Sequence, residues 1–442
     1  MKKIIIIIFI ISLFLTLFSQ ENLAGDITDF SSDIIKNDIY LKVKIDDISI
    51  QYDLWVRTGD IQILKNIDLQ IDELIKNYGE LSELQYLKGI MYMYYYKDYD
   101  KALEYLKKSS DKNPKNAYTY FLMGNIYVQL NDYNKAFLEL NKAIKLEPNN
   151  DTFIYLYALI YESIDENHFA IEYLNKALKI NKNHEYYISR GNNYAHIGEY
   201  EKAILDYDEA LNILNNMINN KGNLDKQDLY YRIVYKKATL FRYMYEEEKG
   251  LVLIDEIIKN IDKISNDYFQ KIVYLEKVNL LYDLKRYDEG IEIYQNLLLD
   301  SKEYYFCSLY AKLLYKVNDP SESIKILDKI EDLDEEYKLD FVSYLRGINF
   351  ISLKEYKKAL NEINKTNFNF DISYRDKNFL LKGLIYEALN EEKMALNYYK
   401  IYLEKIEDKD IKNRYELIKA NKEVENIEVF IEDLYKQRKL LY

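Results

Sequence analysis

Residues 117–150 read AYTYFLMGNIYVQLNDYNKAFLELNKAIKLEPNN, and this stretch decides the fold. Its apolar residues recur at helical spacing on both sides of Asn131-Asp132-Tyr133, so it divides into two helices of about 12–14 residues joined by a tight turn. Gly124 on the first helix and Ala136 on the second stand twelve residues apart. Only small side chains let two helices cross closely, and Tyr127 and Leu140 fill the space on either side. Pro148 cannot continue the second helix and stops it.

The same ladder recurs outward in both directions. Ala158, Tyr161, Ala170, Leu174 and Ala177 restart it 34 residues after Gly124, and Gly191, Tyr194, Ala203, Tyr207 and Ala210 restart it 33 residues later. Upstream, Ala102, Leu106, Ser109 and Pro114 precede Ala136, Leu140, Ala143 and Pro148 by 34. Gly89 and Tyr92 precede Gly124 and Tyr127 by 35, which places one extra residue near Tyr94-Tyr95-Tyr96. A single hairpin of this kind cannot bury its own apolar face, so stability requires stacked neighbours. The pattern resembles the tetratricopeptide repeat family, through Gly124, Tyr127, Ala136, Leu140, Ala143, Pro148 and their counterparts. The family's tryptophan at the fourth position is missing, with Tyr120 and Tyr187 standing there, and several repeats lack the terminal proline. The resemblance implies an all-α fold, an α-solenoid of stacked antiparallel helix hairpins wound as a right-handed superhelix.

In the C-terminal half the twelve-residue spacing persists in looser spelling. The pairs are Ala238–Gly250, Val278–Gly290, Ala311–Ser323, Gly347–Ala359 and Gly383–Ala395, with 40, 33, 36 and 36 residues between successive first members. Five degenerate repeats are expected over 230–405, after four repeats over 82–217. Gly191 to Ala238 spans 47 residues, so a surplus falls within Asn212–Asp228. It is read as a lengthened helix with a loop or as a joint, placed at 218–229. Residues 406–442 suit a C-terminal capping helix, and residues 21–81 a partly helical segment with a possible degenerate repeat.

Composition agrees with many small units. A chain of 442 residues at about 150 per domain would make about three domains, yet it holds only 12 glycines and 3 prolines. Seven of those glycines (Gly89, Gly124, Gly191, Gly250, Gly290, Gly347, Gly383) occupy the two close-crossing positions, leaving no glycine-rich phosphate loop. A net charge of −13 opposes binding of nucleic acid through phosphate neutralisation. The 48 tyrosines are compatible with simple compositional bias. Lys2 and Lys3 precede an apolar run from Ile4 to Phe18, which reads as a signal peptide over 1–20. An uncleaved membrane anchor is the weaker alternative, since the run is shorter than the roughly 20 residues of a spanning helix. The mature chain is therefore expected to be periplasmic or secreted, with no membrane span.

Catalytic chemistry is not expected. His168, His184 and His196 lack metal-ligand spacing, and Cys307 beside Phe306 reads as a packed hydrophobe. The acidic run Asp328, Glu331, Asp332, Asp334, Glu335, Glu336 and Asp340 has no calcium-loop spacing and reads as a solvated loop. No cofactor, metal or enzymatic activity is anticipated.

In the family it resembles, the first helix of each repeat lines a groove through its second, fifth, ninth and twelfth residues. The fifth position gives Tyr86, Phe121, Tyr155, Ile188, Tyr235, Leu275, Ser308, Tyr344 and Leu380. The second adds Tyr118 and Phe341, and the ninth Asn125 and Asn192. Aromatics with amides between them would suit a peptide or protein segment, aromatic rings burying area at low entropy cost. The family's carboxylate clamp is not matched, because Phe121 and Ile188 replace the basic residue beside Asn125 and Asn192. The expected role is an envelope scaffold with a protein partner. A self-associating structural component, and a ligand-binding or enzymatic role centred on residues 26–81, are the alternatives.

Overall fold

The computed structural model describes residues 38–221, 226–297, 302–330, 335–368, 372–420, 422 and 424–436. The signal-peptide stretch and residues 331–334 of the acidic run lie outside them. Among the described residues there are 22 α-helices, and they fall into two units, residues 1–223 and 224–442.

The first unit begins with α1 (Ile39–Thr58) and α2 (Ile61–Tyr78), which pair as a hairpin. Four more hairpins follow: α3 (Ser82–Tyr94) with α4 (Tyr99–Lys112), α5 (Ala117–Gln129) with α6 (Tyr133–Leu146), α7 (Asp151–Ser163) with α8 (Asn167–Ile180), and α9 (His184–His196) with α10 (Tyr200–Lys221). The second unit holds α11 (Gln227–Tyr243) with α12 (Glu247–Lys259), α13 (Asp267–Asp283) with α14 (Tyr287–Leu297), and α15 (Tyr304–Lys316) with α16 (Pro320–Leu327). It continues with α17 (Glu336–Ser352) and α18 (Tyr356–Lys365), then α19 (Ile372–Ala388) and α20 (Glu392–Leu403). Two last helices, α21 (Lys409–Lys419) and α22 (Ile427–Lys436), stand where the sequence suggested one capping helix.

All nine repeat hairpins turn in the same way. One residue after each first helix takes the left-handed conformation: Lys97, Asn131, Asp165, Gly198, Tyr245, Lys285, Asn318, Lys354 or Asn390, with φ between 57° and 80°. The next residue then donates its backbone N–H to a carbonyl five positions back, as in Asp132 to Tyr127 (2.9 Å), Glu166 to Tyr161 (2.9 Å) and Arg286 to Leu281 (2.8 Å). This closes the helix end and reverses the chain. In the first repeat the bond runs from Asp98 to Tyr92, six positions back, so the extra residue sits in that turn. The new helix is capped at once where the side chain permits: Asp98, Asp132 and Asp319 accept from the N–H three residues on.

The close crossings lie where the ladder put them. Ala102, Ala136, Ala158, Ala170, Ala203, Ala359 and Ala395 have no exposed surface. A Cβ on Gly250 would stand 2.9 Å from the Ala238 carbonyl oxygen, so only glycine allows that approach. Ser323 replaces the alanine in its hairpin and satisfies its hydroxyl by donating to the Ala311 carbonyl (2.9 Å). The surplus between Gly191 and Ala238 goes in part into α10, which has 22 residues against 14 in α8. No helix among the described residues is long and apolar enough to cross a membrane.

Candidate partner-binding site

In the first unit the positions expected to line a groove hold the repeats together instead. Phe121 is buried and stacks on Phe153 of the next first helix at 5.0 Å, and Tyr155 packs against Tyr186 at 4.5 Å. In both pairs the fifth-position ring meets the third position of the following repeat. Tyr86 and Ile188 are buried as well. Tyr118 is half-buried, its ring edge against Phe153 and its hydroxyl accepting from Asn150 Nδ2 at 3.0 Å. Asn192 is half-buried, and its Oδ1 accepts from the Tyr207 hydroxyl of the second helix at 2.9 Å. Asn125 is fully buried, and neither its Oδ1 nor its Nδ2 has a hydrogen-bond partner. As a groove surface, Tyr86, Phe121, Asn125, Tyr155 and Ile188 are corrected: all five are buried, Phe121 and Tyr155 against rings of the next first helix.

Polar bridges reinforce these contacts. The Glu162 carboxylate accepts from Ser189 Oγ and Asn193 Nδ2 of the next repeat. Tyr155 lies among Glu185 and Glu162, and burial first, then those charges, pushes its hydroxyl pKa well up. Asp151 receives the Tyr186 hydroxyl at 2.9 Å and Asn181 Nδ2 at 2.9 Å. His168 opens α8, His184 is buried at the start of α9, and His196 ends α9. Among the described residues, no three His, Cys, Asp or Glu side chains could hold a metal ion together.

The second unit differs. A cavity of about 200 Å³ is lined by Arg242, Asn279, Tyr282, Asp283, Leu309, Lys312, Phe341, Tyr344, Leu345 and Tyr374. These come from α11, α13, α15, α17 and α19, the first helices of all five hairpins. Of the expected groove residues, Tyr344 is a buried wall, with Tyr374 edge-on at 5.3 Å, and Phe341 meets Tyr374 at 5.5 Å. Tyr235 is half-buried outside the cavity, edge-on to Phe269 at 5.6 Å. Leu275 is half-buried, and Ser308 and Leu380 are buried.

Charge in the cavity is unevenly paired. Arg242 Nη1 donates to both Glu276 oxygens at 3.0 Å, and its Nε lies 3.0 Å from Asp283 Oδ2. Asn279 Nδ2 donates to Glu276 Oε2 at 3.2 Å. Burial raises the Glu276 and Asp283 pKa values against the pull of Arg242. Lys312 Nζ sits over the Phe341 ring, 4.6 Å from its centroid, with no ion pair among the described residues. Part of Lys312 meets solvent, but burial lowers its pKa to about 8, opposed by Asp283 and aided by Arg242. The ninth position carries the signal for these residues: Asn279 and Lys312 follow Val278 and Ala311 directly. Reading that position through the C-terminal half would have found both.

Residues 94–160 match one model of the tetratricopeptide repeat, and residues 152–184 and 184–213 match another. No curated protein matches the chain. Among solved structures, a tetratricopeptide repeat protein from Parabacteroides merdae is 18% identical, with a TM-score of 0.43 over 63% of this chain and 98% of that one. PilW, described as a widely conserved type IV pilus biogenesis factor, is 14% identical, with a TM-score of 0.40 over 53% of this chain and 98% of that one. YrrB, described as having an unusual peptide-binding site, is 19% identical, with a TM-score of 0.34 over 45% of this chain and 95% of that one.

Proposed function

We propose that this tetratricopeptide-repeat protein is a non-enzymatic scaffold that binds an extended segment of another protein in the second unit. The observation that carries the reading is the cavity into which five successive first helices each send a side chain. Phe341 and Tyr374 offer half-buried aromatic faces there, and Asn279 and Lys312 offer polar contacts. Rings beside a few fixed polar groups are what a peptide-recognising surface requires. The Lys2–Phe18 pattern supports export to the periplasm or beyond, so the partner would be an envelope or extracellular protein.

The test is a peptide-display selection against the full chain, followed by affinities of the enriched sequences for the Phe341→Ala and Tyr374→Ala variants. Loss of a ring at a binding hot spot costs about 2 kcal/mol, or about thirtyfold in affinity. Affinities unchanged in both variants, with helical content intact, would refute the assignment of the site.

A further inference from the structure

On α1 one face is buried and the opposite face is apolar and bare. Leu41, Ile45, Ile48 and Tyr52 are buried, whereas Ile39 (79%), Val43 (58%), Ile50 (66%) and Leu54 (49%) are exposed. At about 100° per residue the four exposed side chains lie within about 60° of arc, so they form one stripe. The outer hairpin of a stacked array ordinarily presents a polar face to water, and an apolar stripe there marks a contact surface. Among the described residues α22, the last helix, exposes one large apolar side chain, Val429. The α1 stripe is spaced by 4, 7 and 4 residues, the same read from either end. An antiparallel second α1, related by a two-fold axis between positions 46 and 47, therefore brings Ile39 to Leu54 and Val43 to Ile50 of the other copy. The same operation brings Lys42 to Asp53 along one edge, twice per pair. Lys42 is exposed, Asp53 is half-buried, and neither has an ion pair among the described residues.

We propose that the exposed face of α1 is a self-recognition surface, on which a second copy of this chain pairs antiparallel through Ile39, Val43, Ile50 and Leu54. It is independent of the partner site in the second unit. The seam runs over 15 residues, about 22 Å of helix, which is small for a specific interface, so the dimer is reversible. Asp46 and Asp47 stand beside the axis, where each meets its own counterpart, and this like-charge contact weakens the pair further. A lipid surface is the poorer occupant, because Asp46, Asp47 and Asp53 border the stripe and the chain carries a net charge of −13.

The experiment is sedimentation of the full chain across a concentration series, with helical content followed by circular dichroism. A reversible monomer–dimer equilibrium is expected. Ile50→Glu, which puts a charge into the seam, should weaken it about tenfold. Lys42→Glu and Asp53→Lys should each weaken it about fivefold, and the two together should restore it. Positions 42 and 53 lie about 16 Å apart along one helix, so recovery in the double variant reports a contact between copies. Asp47→Asn should tighten the dimer by removing a like charge at the axis. A monomer at every concentration would overturn the proposal. If that monomer binds phosphatidylcholine vesicles and Ile50→Glu abolishes the binding, a lipid surface takes the place of the second copy. A dimer unchanged by Ile50→Glu, with helicity intact, would place the contact on another surface. Weakening by both charge variants without recovery in the double variant would overturn the antiparallel pairing.

Discussion

Gly191→Ala tests whether the close crossing is what holds a repeat together. A Cβ at this position would lie 2.7 Å from Tyr207 Cε1, 2.9 Å from its Cδ1 and 3.2 Å from the Ala203 carbonyl oxygen. Tyr207 is buried and donates to Asn192 Oδ1 at 2.9 Å, so the ring cannot retreat without releasing that bond. Overpacking of this kind costs about 1–3 kcal/mol, and the lost hydrogen bond about 1 more. Alanine returns up to about 1 kcal/mol through its helix preference. A net loss of about 1–3 kcal/mol is expected. Gly124→Ala is the control, because its nearest neighbours would lie 3.3 and 3.6 Å away, and it should be near neutral. The decisive arm adds Tyr207→Leu. The neighbouring repeat already pairs Ala158 with Leu174 at the same two positions, so the double variant copies a combination the chain tolerates. On the Tyr207→Leu background, Gly191→Ala should become neutral or stabilising. Urea unfolding would be read together with amide exchange in α9 and α10, because repeat arrays lose neighbouring units unevenly. The reasoning fails if Gly191→Ala costs as much on the Tyr207→Leu background as it does with Tyr207 in place, or costs no more than Gly124→Ala.

Two further outcomes follow from local geometry. At the hairpin turns, Gly198→Ala should lose about 1 kcal/mol because its φ of 80° disfavours a Cβ, while Tyr245→Gly at φ 59° should be neutral or gain up to about 1 kcal/mol, both by urea midpoint. Lys88 joins α3 to α2 by ion pairs to Asp68 at 2.6 Å and Asp72 at 2.7 Å. Burial opposes the Lys88 charge, but hydrogen bonds to the two carboxylates outweigh it and raise the pKa above 10.5. A raised folded value means the stabilisation is full below 10.5 and is lost as pH climbs through the folded pKa. Emission from Trp55, which packs 6.0 Å from Tyr94, should therefore report loosening of the α1–α2 hairpin from α3 above that pH. Lys88→Met should lack this step, and an identical alkaline midpoint in both chains would count against the account.

How far the sequence could be read depends on which contacts are local. The Gly/Ala ladder was legible because the twelve-residue spacing from Gly124 to Ala136 is set by one hairpin folding on itself. It survived even where the period drifted, since Val278–Gly290 and Ala311–Ser323 form the same crossing. The turn was only partly legible: Asn131 and Asp165 suit a left-handed residue, whereas Tyr245 and Lys285 give no such sign. The groove was not legible, because exposure of a first helix depends on how closely the next one approaches. Phe121 and Tyr155 were expected to line a groove, but they are buried against the third-position rings Phe153 and Tyr186 of the next repeats.

That outcome also gives the tyrosine excess a physical reason. A stack of helix hairpins is thin, and a side chain rooted between two repeats seldom ends far from the surface. A ring that packs along its body and carries a polar tip suits such a place better than phenylalanine, whose buried face would be gained at the cost of an exposed apolar edge. The contacts bear this out: Tyr157 stacks on Tyr173 at 4.6 Å while its hydroxyl donates to Asn141 at 2.8 Å, and Tyr294 stacks on Tyr310 at 3.9 Å while its hydroxyl points to Cys307. Tyr399 is buried completely and still places its hydroxyl on Glu387 at 2.7 Å, which in turn pairs with Arg414 of α21. Tyrosine thus joins helices both within a hairpin, as Tyr157 to Tyr173, and between repeats, as Tyr294 to Tyr310. The proposed partner contact therefore rests on Phe341 and Tyr374, half-buried at the cavity of the second unit, rather than on the more regular Phe121 and Tyr155, which are buried.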